Sequence, residues 1–158
     1  MLVVADVSPF IALTQLSGLE ILPALFEEVI IPPEVLAALG AANRPPNIRS
    51  LAQALPKLVR APSTHEHIPG LHAGETAAIQ LAYELDADIL LIDEIKGRKA
   101  AIQRGLQVTG TVGTLEMAAQ AGMLNLRDAF TQLKQTNFLV SQKLLNEVLF
   151  RHEKNRQK

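Results

Sequence analysis

Cysteine and tryptophan are both absent from this chain of 158 residues. Without cysteine, disulfides and thiolate metal sites are excluded, and the composition fits a reducing compartment. Aromatic residues make up only 4%, whereas hydrophobic residues make up 48%, so the core of a single domain must be aliphatic. Such a composition suits helices packed on a buried parallel sheet.

Strong net charge and long apolar runs are also lacking. The net charge of −1 gives no global sign of a nucleic-acid-binding domain, although a local basic surface is compatible with it. No apolar run approaches the roughly 20 residues of a membrane helix, and the apolar start before Asp6 is too short for a signal peptide. These absences predict a soluble, cytoplasmic protein.

Short apolar runs alternate with helical patterns along the chain. Strands are predicted at residues 2–5, 29–31, 89–92 and 107–108. Helices are predicted from Pro9 to a break at Gly18 and at 32–39, 74–85, 96–104, 112–121, 126–133 and 141–149. The alternation predicts parallel βαβ units in a three-layer α/β/α sandwich with a central parallel sheet. Residues 41–73 are the least regular part, with room for a short helix at 49–58. One domain is expected over residues 1–150, followed by a polar, basic and frayed tail at 151–158.

Three acids stand at element boundaries. Asp6 follows the first strand, Asp93 follows the third, and Glu75 lies in the first turn of a helix. Acids just past parallel strands lie at the sheet edge where open α/β folds bind ligands. Converging carboxylates repel one another and persist mainly around a cation, so the three predict a metal site. Each also has an ordinary explanation: a helix cap for Asp6, dipole complementation for Glu75, and a solvated turn for Asp93 with Glu94.

A basic cluster follows Asp93 directly. Its members are Lys96, Arg98, Lys99 and Arg104. It predicts either a solvated helix face or phosphate contacts beside the metal site, which position a nucleic-acid backbone without reading bases.

Other chemistries find less support in the sequence. No glycine-rich phosphate cradle is present, and residues 110–113 are better interpreted as a turn and helix cap. The spacing of three histidines suits no zinc signature, so they are interpreted as exposed loop residues: His65, His67 and His72.

Several segments together resemble the PIN-domain family, especially an uncharacterised prokaryotic subgroup related to toxin-type ribonucleases. The first is VADVSPFIAL at residues 4–13. The others are residues 29–35, 74–79, 90–94 with Arg98, 108–113 and 121–124. The matches run in order from about residue 2 to residue 150, and they are specific jointly rather than singly.

The resemblance implies an α/β/α sandwich and an endoribonuclease that depends on Mg²⁺ or Mn²⁺, the toxin of a toxin–antitoxin pair. By position, the family's acidic metal site falls on Asp6, Glu75 and Asp93, with Glu94 as an auxiliary acid. Ser8 matches the small hydroxyl residue beside the first acid. RNA is the implied substrate, an antitoxin a possible partner, and a homodimer the expected assembly, with apolar positions in residues 139–150 as its interface.

One family acid is missing. The family pattern places a glutamate where this chain has Ala38, and Glu34 lies one helical turn earlier on the same face. Glu34 is interpreted as complementing the helix dipole, since a shift of about 5 Å exceeds what a tuned site tolerates. The alternative to a nuclease is therefore a catalytically impaired module that binds RNA or a protein without cleavage.

Overall fold

The computed structural model describes residues 1–16 and 20–157. The strands of this part of the chain are Leu2–Ala5 (β1), Glu28–Ile30 (β2), Ile89–Leu91 (β3) and Val108–Thr109 (β4). Its helices are Val7–Gln15 (α1), Ile21–Leu25 (α2), Pro33–Leu39 (α3), Pro46–Gln53 (α4), Ala73–Glu84 (α5), Ile95–Gln103 (α6), Thr111–Gln120 (α7), Leu126–Lys134 (α8) and Gln142–Arg156 (α9), with a 3₁₀ turn at Pro56–Leu58.

The four strands form one parallel sheet in the order β2-β1-β3-β4. The chain goes from β1 to one neighbour, β2, and later returns to the other side of β1 as β3. The sheet therefore changes its direction of winding between β1 and β3. Ligands of open α/β sheets bind in the crevice at this kind of switch point, outside the carboxyl ends of the strands.

The central strand β1 buries both of its faces. In β1, Val3 and Ala5 belong to the larger core cluster with Phe10 of α1, whereas Val4 belongs to a second cluster with Ile79 of α5. Successive strand residues point to opposite faces, so helices must cover both sides of the sheet. The result is the three-layer α/β/α architecture that the alternation of strands and helices predicts.

The predicted elements are present, with several changes at their ends. Strand β2 lies one residue earlier than expected, and Ile31 instead forms an isolated bridge to Val59. Helix α1 begins at Val7, and the break expected at Gly18 lies outside the described residues. Helix α4 covers Pro46–Gln53 within the irregular stretch, and the five-residue helix α2 is absent from the sequence-based expectation.

The C-terminal segment differs most from expectation. Ser141 caps α9 as predicted, because its Oγ accepts the N–H of Leu144 at 3.1 Å. The helix then continues to Arg156, and His152 is buried against the body of the protein. Residues 151–156 are therefore part of a packed helix, so the prediction that they fray is wrong. Among the described residues, no helix is long and apolar enough to span a membrane.

Candidate active site

Asp6 and Asp93 lie side by side at the switch point of the sheet. Asp6 directly follows β1, and its N–H donates to the carbonyl of Leu91 at the end of β3, at 2.9 Å. Asp93 comes two residues after Leu91, at the same edge. Helix α5 begins nearby, since a Cβ on Gly74 would stand 3.6 Å from Oδ1 of Asp6. The fold thus brings together three segments that are distant in sequence.

The carboxyl group of Asp6 is poorly solvated and repelled by its neighbours. It is only 5% exposed, and burial is the main reason that its pKa rises from 3.8 to about 6. The N–H of Val7 and the His72 side chain lower this pKa, whereas the charges of Glu75 and Asp93 raise it. The three acids therefore interact unfavourably when all are ionised, which is the situation that a bound cation relieves.

Asp93 is held firmly by the start of helix α7. Its Oδ1 accepts the N–H of Thr111 and its Oδ2 accepts the Thr111 hydroxyl, both at 2.7 Å. Desolvation raises the pKa of Asp93, while these two bonds and the neighbouring Arg98 lower it. Gly110 makes the contact possible, because a Cβ there would lie 2.5 Å from Oδ1 of Asp93 and 2.9 Å from a terminal nitrogen of Arg98.

Glu75 and Glu94 both take part in helix capping. Glu75 is partly buried in the first turn of α5, and its Oε2 accepts the N–H of His72 at 3.3 Å. Glu94 is exposed at the N-cap of α6 and accepts the N–H of Lys96 at 3.3 Å. The carboxylates of both residues therefore have local partners as well as a place near the sheet edge.

Glu34 is not a freely solvated carboxylate. It lies in the first turn of α3 as predicted, but its Oε2 is buried and has no hydrogen-bond partner within the described part of the chain. Leaving such an oxygen unsatisfied costs roughly 1–3 kcal/mol. Ala38 lies one turn later, partly buried, and its carbonyl accepts Nε of Arg44 at 3.1 Å.

The oxygen ligands at this edge of the sheet suit a hard divalent cation, but their spacing does not. The available ligands are carboxylate oxygens, which Mg²⁺ and Mn²⁺ prefer, and the carboxylates of Asp6, Glu75 and Asp93 repel one another. Within residues 1–16 and 20–157, however, no three His, Asp or Glu side chains are spaced to share one ion. An ion would therefore require side-chain movement, for example release of Glu75 from the N–H of His72.

A groove of about 1000 Å³ opens beside Asp93, whereas Asp6 and Glu75 do not line it. Its lining includes Ser8 of α1, Asp93, and three arginines from separate parts of the chain: Arg44, Arg98 and Arg151. Of the predicted phosphate-binding residues, Arg98 faces this groove and donates to the Ile92 carbonyl at 3.2 Å. Lys96 and Lys99 are exposed on α6 outside the lining.

The three histidines before and at the start of α5 are exposed, as predicted from the sequence. His65 and His67 are exposed in the loop before α5, and His72 is the exposed N-cap residue of that helix.

Two features of the site were not anticipated from the sequence. Gly110 is the N-cap of α7, in agreement with the turn and helix cap predicted for residues 110–113. Thr111 in addition donates hydrogen bonds to both carboxylate oxygens of Asp93. The contact follows from the pairing of β4 with β3, because this pairing places the start of α7 beside Asp93. Arg44 lies in an irregular loop, where no sequence periodicity indicates which side chains reach the groove.

A family model described as a PIN domain matches residues 2–154. The match spans nearly the whole chain and agrees with the parallel sheet and flanking helices, so the protein belongs to the PIN-domain family. PIN domains have a nuclease-type fold and generally use divalent metals. No curated protein matches the chain, and no solved structure does.

Proposed function

We propose that this PIN domain is a divalent-metal-dependent ribonuclease that hydrolyses RNA phosphodiester bonds, the toxin component of a toxin–antitoxin pair. The observation that carries the proposal is the electrostatic conflict at the switch point. The charges of Glu75 and Asp93 raise the pKa of buried Asp6, and no arginine or lysine is among the causes that oppose them. A protein that needed Asp6 only for folding would place an arginine or lysine beside it to stabilise its charge, as Arg98 does for Asp93.

Asp6, Glu75 and Asp93 would hold a Mg²⁺ or Mn²⁺ ion, which when bound supplies Lewis acidity and lowers the pKa of water. The chain's own groups then have distinct tasks. Thr111 fixes both oxygens of Asp93, and Arg98 stabilises its ionised form. Arg98 also faces the groove, where its guanidinium can contact a phosphate.

Four further residues complete the proposed site. Ser8 lines the groove beside the first acid, and Glu94 acts as an auxiliary acid at the start of α6. Lys96 and Lys99 contribute longer-range attraction for the RNA backbone from the exposed face of the same helix.

The test is an RNA cleavage assay with purified protein in Mg²⁺, Mn²⁺ or EDTA. Activity is expected with either ion, and both EDTA and Asp93→Asn should abolish it. Asp128→Asn is the matched control, because Asp128 is an exposed acid in the first turn of α8, away from the groove. Cleavage that persists in EDTA or in Asp93→Asn would refute metal-assisted hydrolysis by these residues. Calorimetric titration with Mn²⁺ measures ion binding independently of turnover.

A second function is favoured by the alanine at position 38 and by the absence, among the described residues, of three acids already spaced for one ion. In this alternative, the domain binds RNA or a protein without cutting. Ala38→Glu discriminates between the two, because restoring the acid should raise nuclease activity strongly if it is the only defect. A variant that stays inert even at RNA concentrations that saturate its binding, while the wild type binds RNA, supports the binding module.

The same proposal includes an antitoxin partner and a homodimer. Apolar side chains stand exposed around the start and middle of α9, with Leu139 96% and Phe150 70% exposed. These residues would form the interface. Light scattering on the isolated chain tests the dimer, and a monomer at all concentrations would contradict it. A neighbouring reading frame that encodes a small inhibitor would support the role as a toxin.

A further inference from the structure

The three arginines of the groove differ in what their charges already contact. Arg151 makes a two-pronged ion pair with Glu116, through Nε at 3.1 Å and a terminal nitrogen at 2.8 Å. Arg98 stands next to Asp93 and lowers its pKa. Arg44 uses only Nε, on the carbonyl of Ala38, and makes no ion pair within the described part of the chain.

The backbone around Arg44 is well fixed. Its N–H donates to the carbonyl of Ala41 at 3.0 Å, and Pro45 and Pro46 follow immediately to begin α4. A residue before proline is restricted to extended conformations, which limits how far Arg44 can swing. With Nε bonded and the chain held, the two terminal nitrogens of the guanidinium remain for a ligand in the groove.

The charge balance of the groove depends on this residue. Three carboxylates line the groove beside the three arginines: Asp93, Glu94 and Glu116. Without Arg44 the lining would carry a net charge of −1 and would repel a polyanion, whereas with Arg44 it is neutral. Arg44 therefore lowers the electrostatic repulsion that an RNA strand would meet in the groove.

We infer that Arg44 binds a phosphate of the RNA strand in the groove, beside the position where Ala38 replaces the family acid. This inference rests on the proposed function and assigns one contact within it. An arginine fork suits the contact because it offers two parallel donors to phosphate oxygens. The guanidinium is also anchored, because its Nε donates to the backbone carbonyl of Ala38 at 3.1 Å.

The experiment measures RNA binding in EDTA, so that it depends on neither a metal ion nor cleavage. A fluorescein-labelled single-stranded RNA of about 12 nucleotides is titrated by fluorescence anisotropy at several salt concentrations. Arg44→Gln is expected to weaken binding by about tenfold. It should also reduce the slope of log affinity against log salt by about 0.7, the loss of one phosphate contact. Arg44→Lys keeps the charge and should retain most of the slope.

Arg49→Gln is the matched control, because Arg49 is exposed on α4 and does not line the groove. It should change affinity by less than about twofold, since a distant exposed charge is screened. Equal binding by wild type and Arg44→Gln, or equal losses in Arg44→Gln and Arg49→Gln, would overturn the role of Arg44 alone. Failure of the wild type to bind RNA in EDTA would also overturn the inference, whereas the proposed function is decided separately by cleavage in Mg²⁺ or Mn²⁺. Melting temperatures confirm that each variant is folded.

Ala38→Glu gives a second, independent readout in EDTA. A carboxylate on the residue that anchors Arg44 should pair with the guanidinium and weaken RNA binding about as much as Arg44→Gln. An Ala38→Glu variant that binds RNA in EDTA as tightly as the wild type would contradict the inference.

Discussion

Asp6 and Glu84 are two carboxylates with opposite surroundings. Asp6 is buried at the switch point, where burial and neighbouring acids raise its pKa to about 6. Glu84 lies at the exposed end of α5, where it accepts the N–H of Ser63 at 2.8 Å and both the N–H and the hydroxyl of Thr64. These bonds lower its pKa. Glu84 is thus an acid that the fold satisfies, whereas Asp6 is an acid whose ionised form is destabilised by burial and by neighbouring charges.

The contrast separates stabilising acids from functional ones. Proteins hold strained or unsatisfied groups mainly at sites where a ligand completes the arrangement. Substitutions should therefore move stability in opposite directions at the two places, and ion binding should respond at only one of them.

The largest expected effect is the loss of activity in Gly110→Ala. The new Cβ would overlap Oδ1 of Asp93 at 2.5 Å, so the carboxylate must leave its bonds to Thr111. Misplacing a reacting group by about 1 Å can cost 10²-fold, and we expect an RNase loss of about that size. Gly40→Ala is the control, because its Cβ would meet nothing closer than 3.5 Å. An active Gly110→Ala enzyme would remove Asp93 from the functional side of the comparison.

Asp6→Asn should stabilise the metal-free protein at pH 7.5 by up to about 3 kcal/mol, the free energy that corresponds to the rise in pKa. Because this pKa is higher in the folded state, the folded chain binds the proton more tightly than the unfolded chain. The contribution of Asp6 to stability therefore falls as pH rises from 3.8 to about 6. Denaturant unfolding at pH 4 and pH 7.5 measures the difference.

The same variant should lose the stabilisation that Mn²⁺ gives to the wild type. A destabilised Asp6→Asn at pH 7.5 would show that Asp6 serves the fold, and the contrast with Glu84 would disappear.

A smaller effect is expected for Thr111→Val, which removes the hydroxyl bond to Oδ2 of Asp93 and retains the backbone bond to Oδ1. The unpaired oxygen should lower stability by roughly 1–3 kcal/mol. The pKa of Asp93 should rise further, since the hydroxyl bond lowers it. The pH dependence of Mn²⁺ binding should shift upward accordingly. Thr114→Val breaks the bond from the Thr114 hydroxyl to the carbonyl of Gly110 and none to Asp93, so it should leave this pH dependence unchanged.

Glu84→Gln should have the smallest effect, a slight loss of thermal stability at neutral pH. Because the folded-state pKa of Glu84 is lowered, its stabilisation is present above the unfolded pKa of 4.5 and disappears as pH falls below that value. The clearest measurement is amide exchange of Ser63 and Thr64, which should quicken in the variant. Unchanged exchange would mean that the carboxylate does not hold this loop.

The sequence predicted the sheet and the acids because local signals agree there. Residues 2–5 and 89–92 are apolar runs stopped by Asp6 and Asp93, and the βαβ order makes their ends meet. Helix α2 has no clear signal in the sequence, because its five residues include Pro23 and are too few to show a helical period. The extent of α9 was underestimated because most of its side chains are polar, although buried His152 continues the spacing of Val148 and Leu149.

The remaining parts of the site depend on tertiary structure. The bond from Thr111 to Asp93 requires β4 to lie beside β3, and the place of Arg44 requires a loop to fold over α3. Position in a loop is set by contacts rather than by periodicity, so neither role has a local signature. The bond from Nε of Arg44 to the carbonyl of Ala38 likewise joins a loop to a helix and has no signal in the sequence.

The two hydrogen bonds from Thr111 to Asp93 have a consequence for synthesis on the ribosome. The groups that assemble the catalytic edge range along the polypeptide from Asp6 to Thr111, and the edge strand β4 is among the last parts of the sheet to emerge. A nascent chain therefore contains Asp93 well before Thr111, whose hydrogen bonds orient that carboxylate, is in place. Under the proposed function, cleavage of RNA would therefore begin only after β4 and the start of α7 have left the exit tunnel.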